Sequence, residues 1–473
     1  MAKLYIFGIG GTGSRVLRSL TMLMASGIRM DVNEIVPIII DPDVANADLT
    51  RTVTLMNNYS VLRSKLHFGD GNANQFFRIE LNKTLSNYSL HIKDTDSKSF
   101  QEFIDYASMS KENKALTKML FSEKNLQSSM DVGFRGNPNI GSVVLNQIVD
   151  SEDFVNFANS FQSGDKIFII SSIFGGTGAS GFPLLLKTLR IGKSFPNFSI
   201  INQANIGALT VLPYFKLNPD NKSEIDSSTF ISKTKSALAY YEDDIVKNGS
   251  INSLYYLADD IGNTYKNCEG GASQSNDAHL IEFLGATAII DFVNNIQQGT
   301  TNKELGIKDI SNSVSFDSFY DRMRNLLYSP LVQFTMMSNC LLDKSDYFTS
   351  STFAANRFFG DLYNDAFYFD LKGFCQKYRD WLVEMKRNKR SLDLFNVNCG
   401  DKPFELVTGV KAKKVMSTKS NYDLIADRLN TAIRGCKSKD KCDLFLEMFY
   451  TGTQKLVKEK LKLNYYVNSF YII

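Results

Sequence analysis

Three glycine-rich stretches are the residues of this chain best suited to hold a ligand. The first, Gly8-Ile9-Gly10-Gly11-Thr12-Gly13-Ser14, lies between a β-rich run and a helical one. Where side chains are missing, backbone N–H groups can approach a phosphate, and a helix N-terminus adds partial positive charge. The run fits G-x-G-x-x-G, and Asp41 ends the next strand, where a dinucleotide-binding protein keeps its ribose carboxylate. The second, Gly175-Gly176-Thr177-Gly178-Ala179-Ser180-Gly181, follows the apolar run Ile167 to Ser172 and opens a helix, with Pro183 in its expected first turn. A third, Gly133-Phe134-Arg135-Gly136-Asn137-Pro138-Asn139-Ile140-Gly141, precedes an apolar helical stretch, and Arg135 is its candidate charge partner. Alone, this third loop reads as a plain turn. No G-x-x-x-x-G-K-[ST] occurs, so a P-loop lysine is excluded. Two strand–loop–helix units on one sheet suggest a single polyphosphate gripped from two sides.

Other chemistries are poorly served. No two of the six cysteines have CxxC spacing and there are only 3 histidines, which argues against a Cys/His zinc site. Reduced thiols in a cytosolic protein are expected. Lys plus Arg (53) nearly balances Asp plus Glu (50), so bulk charge gives no case for nucleic-acid binding. A hydrophobic content of 43% with 22% charged residues is that of a globular chain, not a disordered one. No apolar run approaches the ~18–20 residues that cross a bilayer. Met1 to Phe7 is too short for a signal-peptide core, and a cytoplasmic protein is the expectation.

The elements that must position these loops alternate. Strands are expected at Lys3–Phe7, Ile35–Ile40, Lys166–Ser171, Ile206–Leu212 and Ser253–Leu257, with helices between, which is the pattern of a mostly parallel α/β sheet. Residues 51–130 are polar and irregular and read as an inserted subdomain. Leu280, Phe283, Leu284, Thr287, Ala288 and Phe292 fall at helical spacing, so a long core helix is expected over about 276–295. It closes a first domain of residues 1–275. Beyond the polar stretch Asn295–Asp309, residues 296–473 read as a mostly helical second domain.

Together and in this order, the loops resemble those of the tubulin/FtsZ superfamily, nearest to its divergent prokaryotic tubulin-like proteins. Gly175 to Gly178 matches the core of the signature GGGTGTG, with Phe174 in place of its first glycine. Gly136 to Gly141 is similar to the FtsZ stretch ANPEVG, and Gly8 to Ser14 to GVGGGGSN. Asp41-Pro42-Asp43 lies where FtsZ carries Asn-Thr-Asp, Pro213 where it has its proline loop, and Ser275-Asn276-Asp277 where Ala-Asn-Asp opens the core helix.

The resemblance implies GTP or GDP with Mg²⁺. Gly10, Gly11, Thr12, Gly13 and Ser14, with Gly175, Gly176, Thr177, Gly178, Ala179 and Ser180, would cradle the phosphates. Asp41, Asp43, Gly136, Asn137 and Pro138 would surround the γ-phosphate and its magnesium, and Asn276 would read the base or cap its helix. For hydrolysis, slow or assembly-dependent, the nearest likeness to the FtsZ catalytic loop is Ser315 to Asp321, which offers Asp317 and Asp321. Self-association into filaments or oligomers follows from the resemblance, as switch or scaffold. The basic stretch 386–441 reads as a solvated face, with an acidic partner, nucleic acid or membrane surface as the alternative. The apolar tail Tyr465 to Ile473 reads as docking on its own domain or binding a protein partner. Two rival functions stand: an NAD-dependent Rossmann-type enzyme using Gly8–Gly13 and Asp41, and a non-hydrolysing tubulin-like adaptor.

Overall fold

A computed structural model describes residues 2–95, 98–130, 133–134, 136–217, 230–260, 263–265, 271–294, 306–308, 311–350, 353–411 and 421–461. Lys3–Ile9 (β1), Glu34–Ile40 (β2), Glu80–Leu81 (β3), Lys166–Ser172 (β4), Asn205–Val211 (β5) and Ser253–Leu257 (β6) form one sheet, ordered β3-β2-β1-β4-β5-β6. Every neighbouring pair is parallel. Strands such as β1 and β4 are continuous apolar runs because helices cover both faces of a parallel sheet. Pro37 sits inside β2 without cost. The carbonyls of Ile35 and Ile39 face outward, accepting from Asn82 and Leu90, so the missing Pro37 N–H points to the same side, beyond the end of short β3.

From β1 the chain builds β2 and β3 to one side, then returns to lay β4, β5 and β6 on the other. The order reverses between β1 and β4, and ligands of such sheets bind in the crevice at that reversal. Gly10–Ala25 (α1) follows β1, Ala47–Ser64 (α2) follows β2, Pro138–Leu145 (α3) precedes β4, Gly176–Ile191 (α4) follows it, and Leu280–Asn294 (α5) comes after β6. Every residue of α5 except Asn294 is buried, as expected of a helix apolar all round. Gly285 lets it close on the sheet: a Cβ there would lie 2.8 Å from Leu209 Cδ2 and 3.0 Å from Val16 Cγ2.

Three boundaries differ from the sequence expectation. Residues 51–64 belong to α2 rather than to an irregular insertion, because its buried stripe Leu49, Thr52, Leu55, Met56, Tyr59 and Leu62 includes a threonine that hides the periodicity. Thr52 is satisfied there, donating to Asp48 O at 2.9 Å. Helix α4 begins at Gly176, so Pro183 lies inside it rather than in its first turn and forfeits the bond to the Ala179 carbonyl. Helix α5 begins at Leu280, four residues after Asn276.

Contacts divide the chain into two units: residues 1–21, 30–57 and 79–304, and residues 22–29, 58–78 and 305–473. The second is mostly helical, with Asp321–Asp343 (α6), Ala366–Arg387 (α7), Asn421–Ala432 (α8) and Lys441–Lys460 (α9) as its longer helices. Its core is aromatic: Phe334 stands 4.9 Å from Tyr378 and Tyr378 5.7 Å from Trp381. The donor atoms of His67, Asp440 and Asp443 lie within 4.8 Å of one another. Asp443 is already engaged, however, accepting from the N–H groups of His67 and Phe68 and the Asn72 amide, which ties residues 67–72 to α9. In the basic stretch, Lys386 pairs with Asp393 and Lys441 with Asp361. The tail 465–473, the polar stretch 295–305, Arg135 and Cys268 lie outside the described residues. Among the described residues no helix is long and apolar enough to cross a membrane.

Candidate functional site

The first glycine loop is the shortest possible turn from strand to helix. Strand β1 ends at Ile9 and α1 starts at Gly10, whose φ of +69° only glycine adopts freely. A Cβ on Gly13 would lie 2.3 Å from the Gly8 carbonyl carbon, so any side chain there would wedge helix from strand. Ser14 is fully buried and its hydroxyl donates to Gly11 O at 2.9 Å. Ser180 likewise donates to Gly176 O at 2.8 Å. Four residues into their helices, both also have their amides in the helical ladder. This removes Ser14 and Ser180 from the free donors and leaves the exposed amides of the first turns.

The three loops meet. A Cβ on Gly10 would lie 3.5 Å from Thr177 Cβ, and one on Gly133 would lie 4.0 Å from Thr177 Oγ1. A Cβ on Gly176 would lie 3.1 Å from the Gly136 amide and 3.2 Å from that of Asn137. Thr177 therefore stands between the first and third loops, and the N-termini of α1, α3 and α4 converge where the strand order reverses. None of these helices carries an acidic residue in its first turn. Their partial positive charges add, with no acidic side chain in those first turns to oppose them. Phe174 does not face this hollow. It packs into an aromatic cluster, 5.6 Å from Phe215 and 5.0 Å from Phe230, which explains why an aromatic residue replaces glycine there.

Two acids close the β2 end. Asp41 Oδ1 accepts from Asp43 N–H at 3.1 Å, and Asp43 Oδ2 accepts from Gly271 N–H at 2.8 Å. Asp43 Oδ1 is buried and has no hydrogen-bond partner among the described residues. Burial pushes the Asp41 carboxyl up to about 7, the charge of Asp43 adding to the effect and its N–H opposing it.

The segment from Gln274 to Asp277 runs along the starts of α1 and α2. Asn276 donates to Asp48 from its main chain (3.1 Å) and from its side-chain amide (3.0 Å), and Asp277 O accepts from Arg15 at 2.8 Å. Helix α5 is capped instead by His279, whose Nδ1 accepts from Ile281 N–H at 3.1 Å and whose ring lies 4.9 Å from that of Tyr214, next to buried Pro213. Glu282, buried beneath, pairs with Arg15, and burial raises it to about 7 although Arg15 opposes the shift. Lys233, which the sequence did not single out, reaches the third loop and donates to Gly136 O at 3.0 Å. One lysine in an ordinary amphipathic helix carries no signal of that contact.

Asp317 and Asp321 lie in the second unit, both largely exposed, and both pair with Arg324, at 3.6 and 2.8 Å. Asp321 opens α6, where a negative charge suits the helix N-terminus.

No protein-family model matches the chain, and no curated protein matches it. Among solved structures it is similar to CetZ2 from Haloferax volcanii, a GTPγS-bound protofilament, at 14% identity over 62% of this chain and 58% of that one, with a TM-score of 0.30. It is also similar to CetZ from Methanosaeta thermophila, at 16% identity over 62% of this chain and 54% of the other, with a TM-score of 0.26. The chain thus spans little more than half the length of either.

Proposed function

We propose that the first unit binds a guanine nucleotide, its phosphates in the hollow between the ends of β1 and β4. The observation that carries this reading is the meeting of three helix N-termini whose first turns are free of acids. Gly10 to Thr12 and Gly175 to Gly178 present the amides, and Gly136 to Pro138 close over them at van der Waals distance. Asp43 Oδ1, buried and without a hydrogen-bond partner among the described residues, fits a magnesium that accompanies the phosphates, with Asp41 beside it; the ion would neutralise phosphate charge. Asn276, held by Asp48, is assigned to the base. Asp317 and Asp321 are assigned to orienting water across a contact between copies, which requires Arg324 to release one of them.

A second reading is favoured by the strand order itself, which is that of a dinucleotide-binding sheet with an acid at the end of β2. A nicotinamide dinucleotide leaves the second and third loops without a task. Chromatography of the small molecules released when the purified protein is denatured separates the two. Guanine nucleotide supports the first reading, and nicotinamide dinucleotide replaces it with the second.

A further inference from the structure

A cleft of about 640 Å³ opens between α2 and residues 86–95, apart from the meeting point of the glycine loops. Its volume falls in the range of small-molecule sites. One wall is a single face of α2, with Thr50, Thr54 and Asn57 at helical spacing. The opposite wall is fixed against β2, where Leu90 N–H donates to Ile39 O at 2.8 Å. It turns through Asn87 and Tyr88, at φ of 49° and 57°, two successive left-handed residues without glycine. Such strain persists only where the surroundings hold it, and the fully buried Tyr88 ring is the anchor.

The charges of the lining are one-sided. Among the described residues, Asp41 and Asp153 are its acids, His91 is its one basic side chain, and no lysine or arginine lines it. Asp41 is 8% exposed, and no lysine or arginine of the described residues pairs with it. A carboxyl so placed gains most from a cation brought by the occupant. Between the polar groups lie Pro42, Leu49, Val53 and Leu90, which suit an apolar body.

We propose that this cleft is a second small-molecule site, taking a protonated amine carried on a compact apolar body. It shares Asp41 with the nucleotide reading, which sets that acid beside the magnesium, so GTP with Mg²⁺ decides between the two. The test is a ligand-detected NMR titration of the whole chain at about pH 8, where amine and acid are both charged. The probes are cyclohexylammonium, cyclohexanol and cyclohexanecarboxylate. The amine is expected to bind about tenfold tighter than the alcohol, and the carboxylate not at all. Thr54 is exposed, so Thr54→Trp fills the cleft without touching the core and abolishes binding. Asp41→Asn brings the amine down to the level of the alcohol. Saturating GTP with Mg²⁺ leaves amine binding in place. Equal affinity for the three probes, or amine binding that survives Thr54→Trp in a folded protein, overturns the site. Displacement of the amine by GTP with Mg²⁺ also overturns it, by assigning Asp41 to the nucleotide hollow alone.

Discussion

Asp48 decides which face of Asn276 remains to be offered. A carboxylate only accepts, so the amide nitrogen must face it and Oδ1 is left outward. An acceptor there suits a purine with a ring N1–H, such as guanine, over adenine, whose N1 is itself an acceptor. In Asp48→Asn the new amide can donate to Oδ1 and turn Asn276 round. Calorimetric titration should then show the GTP-to-ATP affinity ratio fall about tenfold, and an unchanged ratio removes the clamp. Asp41 and Glu282 make a second prediction. Both are raised to about 7 by burial, so between about pH 4 and 7 the folded chain holds protons that the unfolded chain has released. Stability is greatest below that window and declines as pH rises through it. In Glu282→Gln the fall in melting temperature from about pH 5 to 7 becomes shallower, and an identical slope contradicts the assignment. The glycines were legible because their spacing is local. The Asp48–Asn276 clamp, 228 positions apart, leaves no local trace.

Helix N-termini are the working parts at the next scale, and their field can be tested without removing any group. A Cβ on Gly11 meets nothing within 4 Å, so Gly11→Asp fits and places a carboxylate in the first turn of α1. Such a charge stabilises a helix by roughly 0.3–1 kcal/mol while opposing a bound anion. Melting temperature should hold or rise as GTP affinity drops at least about tenfold; a parallel loss of both would mean a folding defect instead. The strands of the sheet were readable because buried parallel strands are unbroken apolar runs. The helix starts were not. Glycine is a poor helix former, so α4 reads as starting after the residues that form its first turn. The polar run before α5 reads as helix although it is committed to Asp48 and Arg15.

For the whole chain, the helical character of the second unit follows from its periodicity, but the unit boundaries do not. Residues 22–29 and 58–78 count with it through contacts distant in sequence. If copies complete each other's site, GTP turnover rises faster than linearly with protein concentration. Asp317→Ala and Asp321→Ala then lower turnover about tenfold or more at unchanged affinity, and equal rates in all three proteins exclude both acids. The claim on which all this depends is that the three loops form one phosphate hollow. Gly176→Ala tests it, since its methyl would press on the amides of Gly136 and Asn137. In a calorimetric titration of nucleotide-free protein, GTP should bind the wild type well ahead of NAD and bind Gly176→Ala at least about a hundredfold more weakly, with the fold retained. Equal GTP affinity in the two proteins, or tighter binding of NAD than GTP by the wild type, would contradict it.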